Sequence, residues 1–175
     1  MYKQLEIFRK ENRLENTPGN VFGNITRETI ELRDEIEAEN ELGIICELAD
    51  HVIYPINIIE ALGHDAKSNI EQLTLKDSPI LDQNDITPEM AVSCIMMALS
   101  NWNLEKDVRA LALIARIALK ALDCMGYHAE RCVREKCLTI NSREGSYDTK
   151  QNKWQKNPNQ NPDTLYKPQY SNCKK

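Results

Sequence analysis

Between Thr26 and Ile140 the apolar residues recur mostly at steps of three and four, the period of an amphipathic helix. The clearest run is 41–62, where Ile45, Leu48, Ala49, Val52, Ile53, Ile56, Ile59 and Leu62 mark the apolar side. Asn40 marks a turn before this run, and Gly63 suits its end. Pro55 predicts a kink within it, because proline removes a backbone donor and crowds the preceding turn. Upstream, Thr26 reads as an N-cap with Glu28 and Thr29 in the first turn of a helix over 26–39, with Ile30 and Ile36 inward. Downstream, Thr87-Pro88-Glu89 is a start signal, a cap followed by proline at the first helical position. The helix it opens, 88 to about 102, would bury Val92, Ile95, Met96, Leu99 and Trp102. Another follows over about 105–124 with Val108, Leu111, Ile114, Ile117, Ala118 and Leu122. Gly126 interrupts the pattern, and a last helix reaches about 139. Residues 1–13 suit a short helix with Leu5, Ile7 and Phe8 on its apolar side. Residues 14–24 and 64–87 read as loops, the second with a short helix near 66–74. No segment repeats.

These elements specify an all-α fold: a helical bundle built on an antiparallel helix pair, occupying residues 1–140. After Asn141 the composition changes to nine Asn or Gln, three Pro and seven Lys or Arg, which marks 141–175 as a separate arm. The arm keeps Tyr147, Trp154, Leu165, Tyr166 and Tyr170, whereas disordered tails are poor in aromatics. It therefore reads as an extended segment docked on the body or on a partner subunit, with a floppy tail as the competing reading.

Charge sharpens this division. Residues 1–140 carry 15 basic and 24 acidic side chains, a net −9; residues 141–175 carry seven and three, a net +4. An acidic body is a poor surface for a nucleic-acid polymer, which requires clustered Lys and Arg, and a reasonable one for divalent cations. No stretch reaches 18 consecutive apolar residues, so no membrane span is expected, and the N-terminal residues lack the apolar stretch of a signal peptide. Six cysteines form no C-x-x-C pair, and several sit in helical apolar patterns. Free thiols in a cytoplasmic protein follow, with neither a disulfide framework nor a zinc site.

The candidate chemistry lies in two short segments. Glu28 and Glu31 are spaced i, i+3, as are Glu47 and Asp50, so each pair shares one helix face. In an antiparallel hairpin turning near residue 39, Glu31 faces Glu47 and Glu28 faces Asp50. Four converging carboxylates cannot all remain charged in a partly apolar groove without protons or cations. All-oxygen donors favour hard cations, Mg²⁺ or Mn²⁺, and Mg²⁺ prefers to share its shell with substrate phosphates. The competing reading is a solvated acidic face, which Leu48, Ala49 and Val52 beside the acids argue against. Glu35, one turn beyond Glu31, reads either as a supporting or water-activating carboxylate or as a solvated one. His51 lies about 100° from Asp50 on the helix, and reads as a surface or supporting histidine rather than a ligand.

The segment Arg27-Glu28-x-x-Glu31, fifteen residues, then Glu47-x-x-Asp50 resembles the all-α nucleoside triphosphate pyrophosphohydrolases, the MazG-like and dUTPase/dCTPase-like superfamily. Their pattern is EExxE, a variable gap and ExxD. Glu47-Leu48-Ala49-Asp50-His51-Val52-Ile53-Tyr54 is similar to the second metal helix of that superfamily, whereas Arg27 departs from its first Glu. The resemblance covers roughly 22–143, and its firm part is 28–54. It implies Mg²⁺ or Mn²⁺ on Glu28, Glu31, Glu47 and Asp50. It also implies hydrolysis of a nucleoside triphosphate, a deoxynucleotide first, to monophosphate and pyrophosphate. Water activation would fall to Glu28, Glu31 or Glu35. Glu135 to Arg143 is similar to the end of the last helix of the superfamily, which makes Lys136, Asn141 and Arg143 phosphate-side candidates; ordinary helix-end polarity is the other reading. A homodimer or homotetramer in the cytoplasm follows, the host cytoplasm if phage-encoded, since the arm is similar to extensions of phage-type members. Two alternatives stand beside this reading: a non-catalytic helical interaction module, and a pyrophosphohydrolase of phosphoribosyl nucleotides.

Overall fold

The computed structural model describes residues 2, 3, 5, 6, 21–74, 78–148 and 153–175, with only the backbone described at 79, 147, 148, 153, 154 and 156. Six α-helices are delimited among these residues: α1 Val21–Glu37, α2 Glu41–Ala61, α3 Ala66–Glu71, α4 Pro88–Glu105, α5 Val108–Cys124 and α6 Ala129–Asn141. The fold is an all-α bundle. Residues 2, 3, 5 and 6 are helical and Leu5 is buried, while Ile7, Phe8 and positions 14–20 of the first expected loop lie outside the described residues.

Local chemistry accounts for most helix ends. Glu39 takes a left-handed φ of 53°, and the Asn40 side chain accepts from Gly43 N at 3.3 Å to cap α2. Gly63 follows α2 at φ +82° and Gly126 follows α5 at φ +86°, both in the left-handed region open to glycine. Thr87 caps α4 by accepting from Met90 N, with Pro88 at the first helical position, and Asp107 caps α5 by accepting from Arg109 N at 2.9 Å.

The start of α1 differs from expectation. The helix opens at Val21, so Thr26 is internal and its hydroxyl is buried without a partner. Val21 and Ile25 extend the inward stripe back by more than a turn, through Thr29 to Leu32, whereas Ile30 is 46% exposed. The apolar stripe outweighs the capping signal, since burying each large side chain stabilises by about 1.5–3 kcal/mol and a cap by about 1 kcal/mol.

α5 is the central helix, packing against α2, α3, α4 and α6. Ala112, Ala115, Ala118 and Ala121 on it are fully buried, and these small side chains admit Ile45, Leu48, Val52, Ile56 and Ile59 of α2 to the same core. α2 is long and apolar enough, by length and composition, to cross a membrane, yet most of that stretch is buried between α1, α5 and α6. The arm adds the structure that hydrophobic pattern missed, an antiparallel hairpin of β1 Gly145–Asp148 and β2 Lys153–Lys156, with Tyr147 opposite Trp154. It returns to the body at residues 165–175, where Tyr170 and Cys173 are buried and His128 N donates to Cys173 O at 2.7 Å.

Candidate metal centre

The hairpin of α1 and α2 sets the geometry of the site. Glu35 meets Asn40 beside the turn, Thr29 meets His51 further out, and Asn24 Nδ2 reaches Tyr54 Oη beyond that, which is antiparallel order. In that register Glu28, Glu31 and Glu47 each bring one carboxylate oxygen within 4.8 Å of the others. Cys46, Glu47 and Asp50 form a second trio within the same limit, so Glu47 belongs to both.

Glu47 occupies the centre of the group, and its Oε2 is buried with no hydrogen-bond partner among the described residues. Burial and the nearby Asp50 charge push its carboxyl up to about 7. Burial and Glu28 likewise push the more exposed Glu31 upward. A buried carboxylate oxygen without a donor is costly, and it demands a proton or a cation.

Two basic side chains flank the acids. Arg27, at the position where the resembled pattern has glutamate, donates to Glu28 Oε1 and lies 3.7 Å from Glu31 Oε1. It is largely exposed, so this ion pair exchanges readily with water. On the other side the Lys136 ammonium, on α6, lies 2.5 Å from Asp50 Oδ2 and 2.8 Å from Cys46 Sγ. Lys136 is only 4% exposed. Burial works against its charge, but Asp50 and Cys46 hold the ammonium protonated, above the ordinary lysine range. Lys136 therefore sits behind Asp50, engaged with protein groups, and does not present its ammonium to solvent as the sequence reading of a phosphate-side residue expected.

Beneath the acids, His51 bridges the two helices. It is buried; its Nδ1 is 2.8 Å from Glu47 O and its Nε2 2.9 Å from Thr29 Oγ1. Burial lowers the basicity of the ring. In the neutral tautomer with Nδ1–H donating to the Glu47 carbonyl, Nε2 accepts the single Thr29 hydroxyl proton, for which Ile25 O at 2.7 Å competes. The bridge ties the backbone of Glu47 to α1 and fixes the register that brings the carboxylates together.

The remaining candidates divide. Glu35 is not brought to the cluster. Its Oε2 accepts from Asn40 Nδ2 at 2.7 Å and packs over Gly43, so it serves the turn and not the acids. Asn141 is exposed at the end of α6. Arg143 is half-buried and close enough to lower the Asp50 carboxyl. Sequence reasoning placed Arg27 in the motif without assigning it a role, and missed Cys46 and Tyr170 as neighbours of the site. The Tyr170 side chain comes from the arm, is 4% exposed, and places beside Cys46 a hydroxyl with no hydrogen-bond partner of good geometry among the described residues. Cys46 adjoins an acidic motif and was open to a search of neighbours, whereas no spacing rule links residue 170 to residue 46.

The donor set fits a hard divalent cation. Its oxygens are carboxylates from two rigid helices, and the central oxygen has no protein donor. The chain matches no protein-family model, no curated protein and no solved structure.

Proposed function

We propose that the chain is a Mg²⁺- or Mn²⁺-dependent pyrophosphohydrolase that converts a nucleoside triphosphate, a deoxynucleotide first, to the monophosphate and pyrophosphate. The observation that carries this reading is Glu47, which brings one carboxylate oxygen within 4.8 Å of Glu28 and Glu31 and whose buried Oε2 has no hydrogen-bond partner among the described residues. Supporting it is the likeness of Glu28-x-x-Glu31 and Glu47-x-x-Asp50 to the EExxE and ExxD pattern.

Glu28, Glu31, Glu47 and Asp50 would hold the cation. When bound, such an ion supplies charge stabilisation for a triphosphate and lowers the pKa of water. The protein supplies the rest. His51 and Thr29 hold Glu47 in register, and Lys136 orients Asp50. Arg143 stands on the Asp50 side, where it suits the charge of a departing pyrophosphate. Glu28, 14% exposed, and Glu31, half-exposed, are the carboxylates that an attacking water reaches.

The test is anion-exchange separation of products from each common NTP and dNTP with Mg²⁺. Monophosphate and pyrophosphate in equal amounts are expected. Orthophosphate and diphosphate would place the cut at the wrong bond and overturn the reading, as would no turnover of any of the eight. A phosphoribosyl nucleotide in the same panel separates the neighbouring activity.

A further inference from the structure

We propose that this centre takes one divalent cation per chain because Lys136 is built in as a second positive charge. The inference rests on the reading of the carboxylates as a metal centre. Two overlapping trios are available, Glu28–Glu31–Glu47 and Cys46–Glu47–Asp50, and together they have the form of two adjacent cation subsites sharing Glu47. The second already contains the Lys136 ammonium, 2.5 Å from Asp50 Oδ2 and 2.8 Å from Cys46 Sγ. A metal ion held between Cys46 and Asp50 would have to sit where the ammonium already lies against both side chains, so the two cations compete for one place.

Lys136 cannot readily give way. It is 4% exposed, and its withdrawal would take from Asp50, itself only 20% exposed, the ammonium paired with it. The helix that carries it is pinned by the arm: the Tyr166 hydroxyl and the Gln169 amide both donate to Glu135 Oε2 at 2.7 Å, one residue before Lys136. Tyr170 closes the space beside Cys46. Arg27 is different, because it is 64% exposed and can swing into water when a cation arrives at Glu28 and Glu31.

The experiment is Mn²⁺ binding to the full chain without nucleotide, followed by calorimetry and by loss of the free-ion electron paramagnetic signal. Wild type should bind one Mn²⁺ per chain. Lys136→Gln, which removes the charge and frees Cys46, Glu47 and Asp50, should bind two, and Lys136→Arg should stay at one. Two ions on wild type, or one or none on a folded Lys136→Gln protein, would overturn the proposal while leaving the metal centre standing. No binding to wild type would defeat the metal centre itself. If Lys136→Gln does not fold, wild type and Lys136→Arg still decide, since two ions on either is contrary to it.

Discussion

Replacing Glu47 with Gln should change stability in opposite directions with and without metal. In metal-free protein at pH 8, the charged Glu47 carboxylate is held in a buried position beside Asp50, Glu28 and Glu31. Its carboxyl is pushed up to about 7 from an ordinary 4.5, so the folded chain holds this proton more tightly than the unfolded chain does. Stability is therefore greatest below the unfolded value and falls as pH rises through the folded one. Each unit is worth about 1.4 kcal/mol, and discounting for partial solvent access leaves a cost of ~1–2 kcal/mol at pH 8. Gln removes that charge, and its amide can donate to Glu28 or Glu31. At ~2–4 °C per kcal/mol for a chain of this size, the variant should melt roughly 2–8 °C higher than wild type in EDTA. With Mg²⁺ at 100 times its dissociation constant, wild type should gain ~2.7 kcal/mol and the variant little or none, which reverses the order. Scanning calorimetry of both proteins in EDTA and in Mg²⁺ reads both signs. A variant less stable than wild type in EDTA, or one that keeps the full Mg²⁺ shift, would refute the reasoning.

Asp50→Asn should lower pyrophosphate release by at least about two orders of magnitude, several kcal/mol of lost charge stabilisation; steady-state assays of a folded variant at wild-type rate would contradict this. Tyr170→Phe removes a buried hydroxyl that has no partner, so denaturant titration should find stability unchanged or raised by up to ~1 kcal/mol, whereas Tyr170→Ala should cost ~3–5 kcal/mol; a large loss in the Phe variant would mean the hydroxyl is bonded. His51→Ala should destabilise by ~2–4 kcal/mol and weaken Mn²⁺ binding as well, because it unties Glu47 from α1; stability lost with Mn²⁺ affinity intact would separate the two roles. Phe22, Ile30, Leu42, Met97 and Leu104 are large exposed apolar side chains on α1, α2 and α4, and a homo-oligomer is expected; light scattering at micromolar concentration giving 20.1 kDa would refute it.

The helices and the pairing of the acids were legible from residues alone because both are local. Period-three-and-four apolar spacing marks a helix wherever it lies, and i, i+3 acids share a face on any helix. The short segment between Glu37 and Glu41 leaves little choice but an antiparallel pair, so the meeting of Glu28 and Glu31 with Glu47 follows. The cap at Thr87 was legible for the same reason, whereas the capping roles of Asn40 and Asp107 were not read from the sequence. The start of α1 was not legible, since Val21 and Ile25 form a stripe only when a core exists to receive them. Nor could sequence assign Glu35, which read either as a supporting or water-activating carboxylate or as a solvated one, whereas its carboxylate accepts from Asn40 at the turn. The role of Lys136 was decided by tertiary structure alone. A lysine near a helix end is ordinarily solvated, and it becomes a buried counter-charge only because α6 packs on α2 and the arm closes behind it. Sequence thus indicated that Glu28 and Glu31 meet Glu47, through spacing along two adjacent helices, but not that Asp50 would group with Cys46 and Glu47. Tertiary structure decided which of them are already paired, because Lys136 and Tyr170 reach the site from positions 86 or more residues beyond Asp50, and desolvation depends on everything that packs around a charge.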